Sequence, residues 1–180
     1  MKKKSYIILF AALVVLIAGA AVAYNNLSPE VEVRQTEKAD RKKAPNFITY
    51  DEAGKMVKLS SFKGKPVVIN FWATWCGYCV TEFPAFEAQY NKYKDDVQFL
   101  MIDLTDGQRE TVEKAKAFIE EEGYTFPVVY DTNYSAAQAY GVQSVPMTVF
   151  VDADGNLADV RRGAMSESEL EKSITELIGG

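Results

Sequence analysis

Two cysteines separated by two residues are the part of this sequence that can do redox chemistry. Cys76 and Cys79 are the only cysteines in the chain, and they lie between an apolar run at residues 67–72 and a helical pattern at residues 80–88. A helix N-terminus presents unpaired N–H groups and partial positive charge, which stabilise a thiolate. The thiolate is the form that attacks disulfides. The spacing and position therefore predict a redox-active pair.

Other uses of a cysteine pair fit this sequence poorly. A zinc site needs about four ligands, and the chain has no histidine and no third cysteine. A c-type haem site needs C-x-x-C-H, whereas Val80 follows Cys79. A purely structural disulfide would close a loop too small to constrain much of the unfolded chain. We therefore expect no metal and no cofactor apart from the redox-active disulfide itself.

Composition fits one globular domain with an additional segment. The chain has 180 residues, 48% of them hydrophobic, and a formal net charge of −5. This charge favours solubility and argues against nucleic-acid binding. Because histidine is absent, acid–base chemistry must come from carboxylates or from the thiols.

The N-terminal segment predicts export. Lysines at positions 2–4 precede an uncharged apolar run at residues 6–23, which is near the short end of a membrane-spanning helix of roughly 20 residues. The lysines predict a cytoplasmic N-terminus and an extracytoplasmic remainder. The length favours an uncleaved signal anchor over residues 1–24, with cleavage after Ala23 as the alternative. The polar, charged residues 25–43 predict a flexible linker.

Strand patterns recur through residues 44–180. Turn signals at residues 51–54 and at Asp154-Gly155 predict hairpins near the two ends of this region. Apolar runs between the hairpins predict buried strands. The predicted strands cover residues 47–50, 56–59, 67–72, 97–103, 126–130, 147–151 and 157–160.

Helix patterns alternate with these strands. Pro84 lies inside the helix after Cys79 and predicts a kink, and Gly123 and Gly141 end the next two helices. Ser166 begins the last helix, and a glutamate three residues later completes a capping box. The predicted helices after the first cover residues 109–122, residues 134–140 and the region after Ser166. Their predicted buried stripes are Val112, Ala115 and Ile119, and then Leu170, Ile174, Leu177 and Ile178.

The motifs around the cysteines resemble a known fold family. Residues 71–79 (FWATWCGYC), Pro84 and residues 141–146 (GVQSVP) together are similar to thioredoxin-fold proteins. The resemblance implies an α/β, thioredoxin-like fold, in which helices flank a central mixed sheet. An N-terminal hairpin and a helix–strand insertion near residues 109–130 complete the expected architecture.

Further features narrow the resemblance to one branch. The start at residues 45–47 (PNF), the segment 79–84 (CVTEFP) and the predicted anchor are similar to membrane-tethered, extracytoplasmic thiol-disulfide oxidoreductases of the TlpA/ResA type. The resemblance covers residues 44–180. Its motifs are specific for the fold and the branch but do not specify a client protein.

The resemblance implies a role for each matching residue. Cys76 would be the exposed nucleophile and Cys79 the resolving thiol. Pro146 would follow a cis peptide bond facing the cysteines, although an ordinary trans proline at a strand start is the alternative. The backbone of Val145 could pair with an extended substrate. The remaining residues of the client-binding surface would be Trp75, Gly77 and Tyr78, none with a catalytic role.

Two positions depart from thioredoxin itself. Asn70 replaces a buried aspartate that assists proton transfer, and an amide cannot titrate. Glu82 lies about one helical turn after Cys79, so its carboxylate can face the cysteines, and ResA-type proteins carry a glutamate there. We expect Glu82 to shuttle protons to Cys79, with a solvated glutamate or a helix-dipole partner as the alternative. Residues 77–78 are Gly-Tyr rather than Gly-Pro, which bears on the reduction potential.

These features predict a membrane-anchored disulfide reductase that forms a mixed disulfide at Cys76 and resolves it with Cys79. The resemblance implies exported clients such as apocytochrome c, another oxidised envelope protein or a methionine sulfoxide reductase. It also implies a membrane electron donor of the CcdA/DsbD type, as in cytochrome c biogenesis. We expect a monomer.

Three alternatives differ in direction or class. A dithiol oxidase would run the same chemistry in reverse, and an anchored client-binding module would need no enzymatic activity. A peroxidase is disfavoured, because peroxiredoxins share the fold but use a Pro-x-x-x-Thr-x-x-Cys motif. Ala73 and Cys76 occupy the threonine position before the two cysteines.

Overall fold

The structure is a computed structural model that describes residues 12–24 and 42–179. The chain divides into two compact units, residues 1–41 and residues 42–180. In the first unit, residues 12–24 form a helix, α1. Within the described ranges, none of the helices has the length and apolar character needed to cross a bilayer. Residues 1–11 of the predicted anchor and most of the predicted linker lie outside the described residues.

The second unit contains a seven-stranded mixed sheet in the order β2-β1-β5-β4-β3-β6-β7. The three strands β5, β4 and β3 are parallel to one another, and the other neighbours pair antiparallel. This arrangement confirms the predicted mixed sheet. The strands are β1 Ile48–Tyr50, β2 Met56–Lys58, β3 Val67–Trp72, β4 Gln98–Asp103, β5 Val128–Tyr130, β6 Met147–Val151 and β7 Leu157–Arg162.

Helices cover both faces of this sheet. The α-helices are α2 Gly77–Tyr93, α3 Val112–Glu122, α4 Ser135–Tyr140 and α5 Glu167–Gly179, and a 3-10 helix covers Leu59–Phe62. One apolar cluster packs α2, α3 and α5 against the sheet, and a second cluster on the other face includes α4. Both faces of the sheet are therefore buried, which explains why its parallel strands are continuous apolar runs.

Strand β3 shows how the sequence builds both clusters. All six of its residues are buried. Because successive side chains point to opposite faces, Val68 and Trp72 enter the cluster with α2. Ile69 and Phe71 enter the opposite cluster. Asn70 is on the α2 side, so a polar residue interrupts the apolar face next to the cysteine helix.

Most predicted elements are confirmed, including both hairpins and the buried strands. The capping box is present, because the Ser166 N–H donates to Glu169 Oε2 at 2.9 Å and the Glu169 N–H donates to Ser166 Oγ at 3.4 Å. Gly123 and Gly141 end their helices with positive φ angles of 74° and 59°. Helix α2 is longer than predicted and continues past Pro84.

Two predictions about helices are wrong. Helix α3 begins at Val112 rather than at residue 109, because Thr111 is its N-cap and accepts a hydrogen bond from the Lys114 N–H. Ile178 is 42% exposed, because the buried face of α5 passes through Leu170, Ile174 and Leu177 and residue 178 lies at its edge. Ser173 takes its place in the buried stripe, beside Ile174.

Candidate active site

Cys76 and Cys79 form a disulfide at the N-terminus of α2, with 5.3 Å between their Cα atoms. Cys76 is the N-cap residue, with extended φ and ψ angles of −91° and 97°. Its Sγ accepts a hydrogen bond from the Cys79 N–H at 3.2 Å, and its carbonyl accepts one from the Val80 N–H at 3.2 Å. An N-cap sulfur that accepts a backbone N–H is placed where a thiolate would be stabilised.

The disulfide is less accessible than the sequence predicted. Cys76 is only 6% exposed and Cys79 is fully buried, so the expectation of an exposed Cys76 is wrong in degree. The cause is the N-cap geometry, which turns the Cys76 side chain back over the first turn of α2. The neighbouring side chains of Trp75 and Tyr78 are exposed, by 43% and 75% respectively. Only the Cys76 edge of the disulfide is therefore accessible from solvent.

The segment before β6 lies at the same end of the sheet. The Val145–Pro146 peptide bond is cis, as the resemblance implied. Phe71 pairs with Met147 in the β3–β6 register, so Pro146 lies just beyond the strand end that leads to Cys76. The Pro146 carbonyl accepts a hydrogen bond from the Gly163 N–H at 2.9 Å. Within the described part of the chain, no hydrogen bond involves the Val145 backbone.

Glu82 is a buried carboxyl group on α2, only 2% exposed. Its Oε1 accepts a hydrogen bond from Asn70 Nδ2 at 2.8 Å, and its Oε2 accepts one from the Met165 N–H at 2.9 Å. Burial raises the pKa of Glu82 to about 7, against the lowering effect of these two donors. The solvated alternative for Glu82 is therefore wrong, and the carboxyl can hold or release a proton near neutral pH.

Asn70 joins this carboxyl to the next strand. Its Nδ2 also donates to Thr148 Oγ1 at 3.1 Å, and Asn70 and Thr148 are paired across β3 and β6. The Asn70 Oδ1 is buried without a hydrogen-bond partner. The Asn70 amide thus serves as a donor to Glu82.

Two residues near the cysteine loop had not been predicted as part of the site. The buried Glu110 carboxylate accepts hydrogen bonds from the Thr74 N–H at 2.9 Å and from Thr74 Oγ1 at 2.7 Å. The Arg109 guanidinium lies 4.0 Å from the centre of the Trp75 ring. Both residues belonged to the predicted helix over residues 109–122, and no sequence spacing connects them with the cysteine loop.

Asp103 is a second buried carboxyl group at this end of the sheet. It pairs with Trp72 at the carboxyl ends of β4 and β3 and is fully buried. Burial raises its pKa to about 8, helped by the charges of Glu110 and Asp106 and opposed by a hydrogen bond from the Thr105 hydroxyl. Among the described residues, no cluster of three or more potential ligands is arranged to hold a metal ion.

Comparisons with known proteins agree with this geometry. The model of the AhpC/TSA family matches residues 41–160. The chain is 32% identical over 171 residues to the thiol-disulfide oxidoreductase ResA of Bacillus cereus (strain ATCC 10987 / NRS 248), covering 94% of this chain and 96% of that protein. It is 36% identical over 126 residues to ResA of Bacillus subtilis (strain 168), covering 69% and 68%.

Solved structures of thioredoxin-type proteins are also similar to this chain. The pneumococcal exposed lipoprotein thioredoxin Etrx1 from Streptococcus pneumoniae strain TIGR4 superposes with a TM-score of 0.65 at 28% identity, covering 73% of this chain and 99% of that one. A thioredoxin-family thiol:disulfide interchange protein from Chlorobium tepidum TLS gives a TM-score of 0.68 at 25% identity, with coverages of 77% and 97%.

Proposed function

The chain belongs to the AhpC/TSA family and to the ResA-type thiol-disulfide oxidoreductases within it, and from this membership and the site geometry we propose that it reduces disulfides in exported proteins. The observation that carries the proposal is the Cys76–Cys79 disulfide at the N-terminus of α2, one turn before the buried Glu82. This arrangement supplies a nucleophile, a resolving thiol and a proton carrier.

The reaction begins with the reduced enzyme. The Cys76 thiolate attacks one sulfur of the client disulfide, and the other client sulfur leaves as a thiolate. Glu82 in its carboxylate form then accepts the proton of Cys79. The new Cys79 thiolate attacks Cys76 Sγ, which forms the Cys76–Cys79 disulfide and releases the second client thiolate. Two electrons pass to the client, and its two thiolates take up two protons.

The burial of the two cysteines supports these roles. Cys76 keeps a small exposed fraction, whereas Cys79 has none, so only Cys76 can meet a client sulfur. The unpaired backbone of Val145 offers a donor and an acceptor to an extended client segment beside the disulfide. The exposed Trp75, Gly77 and Tyr78 complete the surface that the client would contact.

The proposed location is the outer face of a cell membrane. The lysines at positions 2–4 and the apolar run at residues 6–23 support a signal anchor with a cytoplasmic N-terminus. An extracytoplasmic reductase needs electrons from across the membrane, so a carrier of the CcdA/DsbD type would re-reduce the pair. Apocytochrome c or another oxidised envelope protein would be the client.

The reduction potential of the Cys76/Cys79 pair tests the direction. The full chain in detergent would be equilibrated against dithiothreitol or glutathione buffers, and the thiols would be trapped with an alkylating reagent. We expect a value near that of thioredoxin, about −270 mV. A value near that of DsbA, about −120 mV, would reverse the direction and make the protein a dithiol oxidase.

A trapping experiment tests the client. The Cys79→Ala variant should accumulate mixed disulfides with envelope proteins, because the resolving thiol is absent. The matched control is the double variant Cys76→Ala/Cys79→Ala, which should capture nothing. If the two variants captured the same proteins, the exchange mechanism at Cys76 would be wrong.

A further inference from the structure

A tight turn between β4 and α3 reaches the loop that precedes the disulfide. In this turn, residues 106–110, Asp106 Oδ1 accepts hydrogen bonds from the Gln108 N–H at 2.7 Å and the Glu110 N–H at 2.9 Å. The Glu110 carbonyl accepts hydrogen bonds from the Asp106 N–H at 3.1 Å and the Gly107 N–H at 2.9 Å. Gly107 has a φ of 75°, which favours glycine. The turn is therefore closed by its own hydrogen bonds.

The same turn is fixed to the cysteine loop through a buried side chain. Glu110 is fully buried, and its carboxylate accepts hydrogen bonds from both the N–H and the hydroxyl of Thr74. Thr74 is two residues before Cys76. The backbone of Arg109 is consequently held at a set position relative to the disulfide.

The Arg109 side chain lies over the ring of Trp75. Its guanidinium carbon is 4.0 Å from the ring centre, and both residues are exposed. Within the described residues, the guanidinium has no hydrogen-bond acceptor and no carboxylate at ion-pair distance. A guanidinium whose face rests on an aromatic ring keeps its in-plane N–H groups available, and such N–H groups match a carboxylate in a bidentate pair.

Charged groups of both signs surround Arg109. Lys114 Nζ donates to the Arg109 carbonyl at 2.7 Å, which brings a second cation to the turn. The Asp106 carboxylate interacts electrostatically with Arg109, and its Oδ1 accepts hydrogen bonds from two backbone N–H groups. Two cations, Arg109 and Lys114, thus lie at this turn on a chain of net charge −5.

We propose that Arg109 binds a carboxylate of the client next to the client disulfide, and that the enzyme therefore prefers clients with Asp or Glu beside the attacked cysteine. The inference rests on the proposed function, because it requires disulfide exchange with a client. In this arrangement Trp75 would hold the guanidinium face, and the N–H groups of Arg109 would pair with the client carboxylate. Trp75 and Arg109 act together as one specificity element.

Two disulfide-bonded peptides that differ only in Glu or Gln beside the attacked cysteine test the inference. The reduced full chain in detergent would be mixed with each peptide, quenched with acid and analysed by mass spectrometry. We expect the Glu peptide to react about three to five times faster, the scale of an exposed ion pair. The ratio should fall towards one in concentrated salt, which screens exposed charges.

Variants assign the preference to one side chain. Arg109→Gln should bring the ratio of the two rates close to one. Arg109→Lys should give an intermediate ratio, because lysine keeps the charge but cannot form the two parallel hydrogen bonds of a guanidinium. Lys63→Gln is the matched control, since Lys63 precedes the opposite end of β3 and its loss removes one positive charge elsewhere. This control should retain the preference.

The outcomes separate the two proposals. Equal rates for both peptides with the unmodified chain, or a preference that survives Arg109→Gln, would overturn the role of Arg109. In those cases the reaction with the Gln peptide would still show that disulfide exchange occurs. If neither peptide were reduced, the proposed function would fail, and this inference would fail with it.

Discussion

Asn70 Nδ2 donates a hydrogen bond of 2.8 Å to Glu82 Oε1, so a strand residue holds the carboxyl group that lies one helical turn after Cys79. Both side chains are buried. Burial favours the neutral acid, whereas the hydrogen bonds from Asn70 and Met165 favour the carboxylate. These opposing effects leave the pKa of Glu82 at about 7, so the carboxyl group can gain or lose a proton near neutral pH.

The Glu82→Gln substitution should remove one inflection from the pH–rate profile. In the unmodified chain, the resolution of the mixed disulfide should accelerate as Glu82 ionises near its pKa of about 7, since the carboxylate accepts the Cys79 proton. Glutamine cannot accept that proton. Single-turnover rates from pH 5 to pH 9 with a model disulfide would measure this, and an unchanged profile in the variant would remove Glu82 from the proton path.

Replacing Asn70 by Leu should raise the pKa of Glu82 above about 7, because the hydrogen bond from Asn70 lowers it. The carboxyl ¹³C chemical shift of Glu82, followed by NMR as a function of pH, measures the change directly. Thr148→Val is the control, since Thr148 shares the Asn70 amide without a hydrogen bond to Glu82. A lower or constant pKa in Asn70→Leu would contradict the assignment of Asn70 as a positioning residue.

Stability should fall as pH rises through the range where the two buried acids ionise. The folded-state pKa is about 7 for Glu82 and about 8 for Asp103, and both are above the values of the unfolded chain. Between the unfolded-state and folded-state pKa values of each acid, the folded protein binds more protons than the unfolded protein. The unfolding free energy therefore decreases as the pH rises through this range. The stabilisation is complete below about pH 4 and is lost above about pH 8.

Denaturant unfolding of the oxidised protein at pH 5, 7 and 9 measures this slope. Because a tenfold difference in proton affinity between the folded and unfolded protein corresponds to roughly 1.4 kcal/mol, the two acids together should change the unfolding free energy by a few kcal/mol. Asp103→Asn should reduce the decrease in unfolding free energy between pH 7 and pH 9. The acids with lowered pKa values, such as Glu87 and Asp106, act below about pH 4 and leave this window unaffected. Rising stability from pH 5 to pH 9 would disprove the prediction.

Local patterns were sufficient to predict much of the fold. The buried strand at residues 67–72, the hairpin at Asp154-Gly155 and the capping box at Ser166 each depend on neighbours along the chain. The placement of Cys76 at a helix N-terminus also followed from local order, because an apolar strand precedes it and a helical pattern follows. These features can therefore be predicted from the sequence.

The contacts that complete the site depend on the folded arrangement. Glu110 meets Thr74 across 36 positions of sequence, and Arg109 meets Trp75, because β3 and β4 end side by side. Sequence periodicity placed residues 109 and 110 in a helix, whereas the structure uses them in a turn. The near-complete burial of Cys76 likewise results from its N-cap geometry, which composition does not reveal.

The hydrogen bonds between Glu110 and Thr74 should stabilise the cysteine loop by a measurable amount. Each hydrogen bond to a charged group contributes about 1.5–3 kcal/mol to stability. Because Glu110 accepts two such bonds in a buried position, Glu110→Ala should lower the unfolding free energy by a few kcal/mol. Glu113→Ala is the matched control, because Glu113 is exposed in the first turn of α3. It should change stability by less than about 0.5 kcal/mol.

A double-mutant cycle separates this contact from other effects of the loss of Glu110. Thr74→Val removes the hydroxyl donor but keeps the N–H, so Glu110→Ala and Thr74→Val should be non-additive by about 0.5–3 kcal/mol. Denaturant unfolding of the four proteins gives this coupling. Because the contact also fixes the turn that carries Arg109, the Glu110→Ala variant should lose part of its preference for a Glu peptide over a Gln peptide. Additive stabilities together with an intact preference would show that the turn is held by its own hydrogen bonds alone.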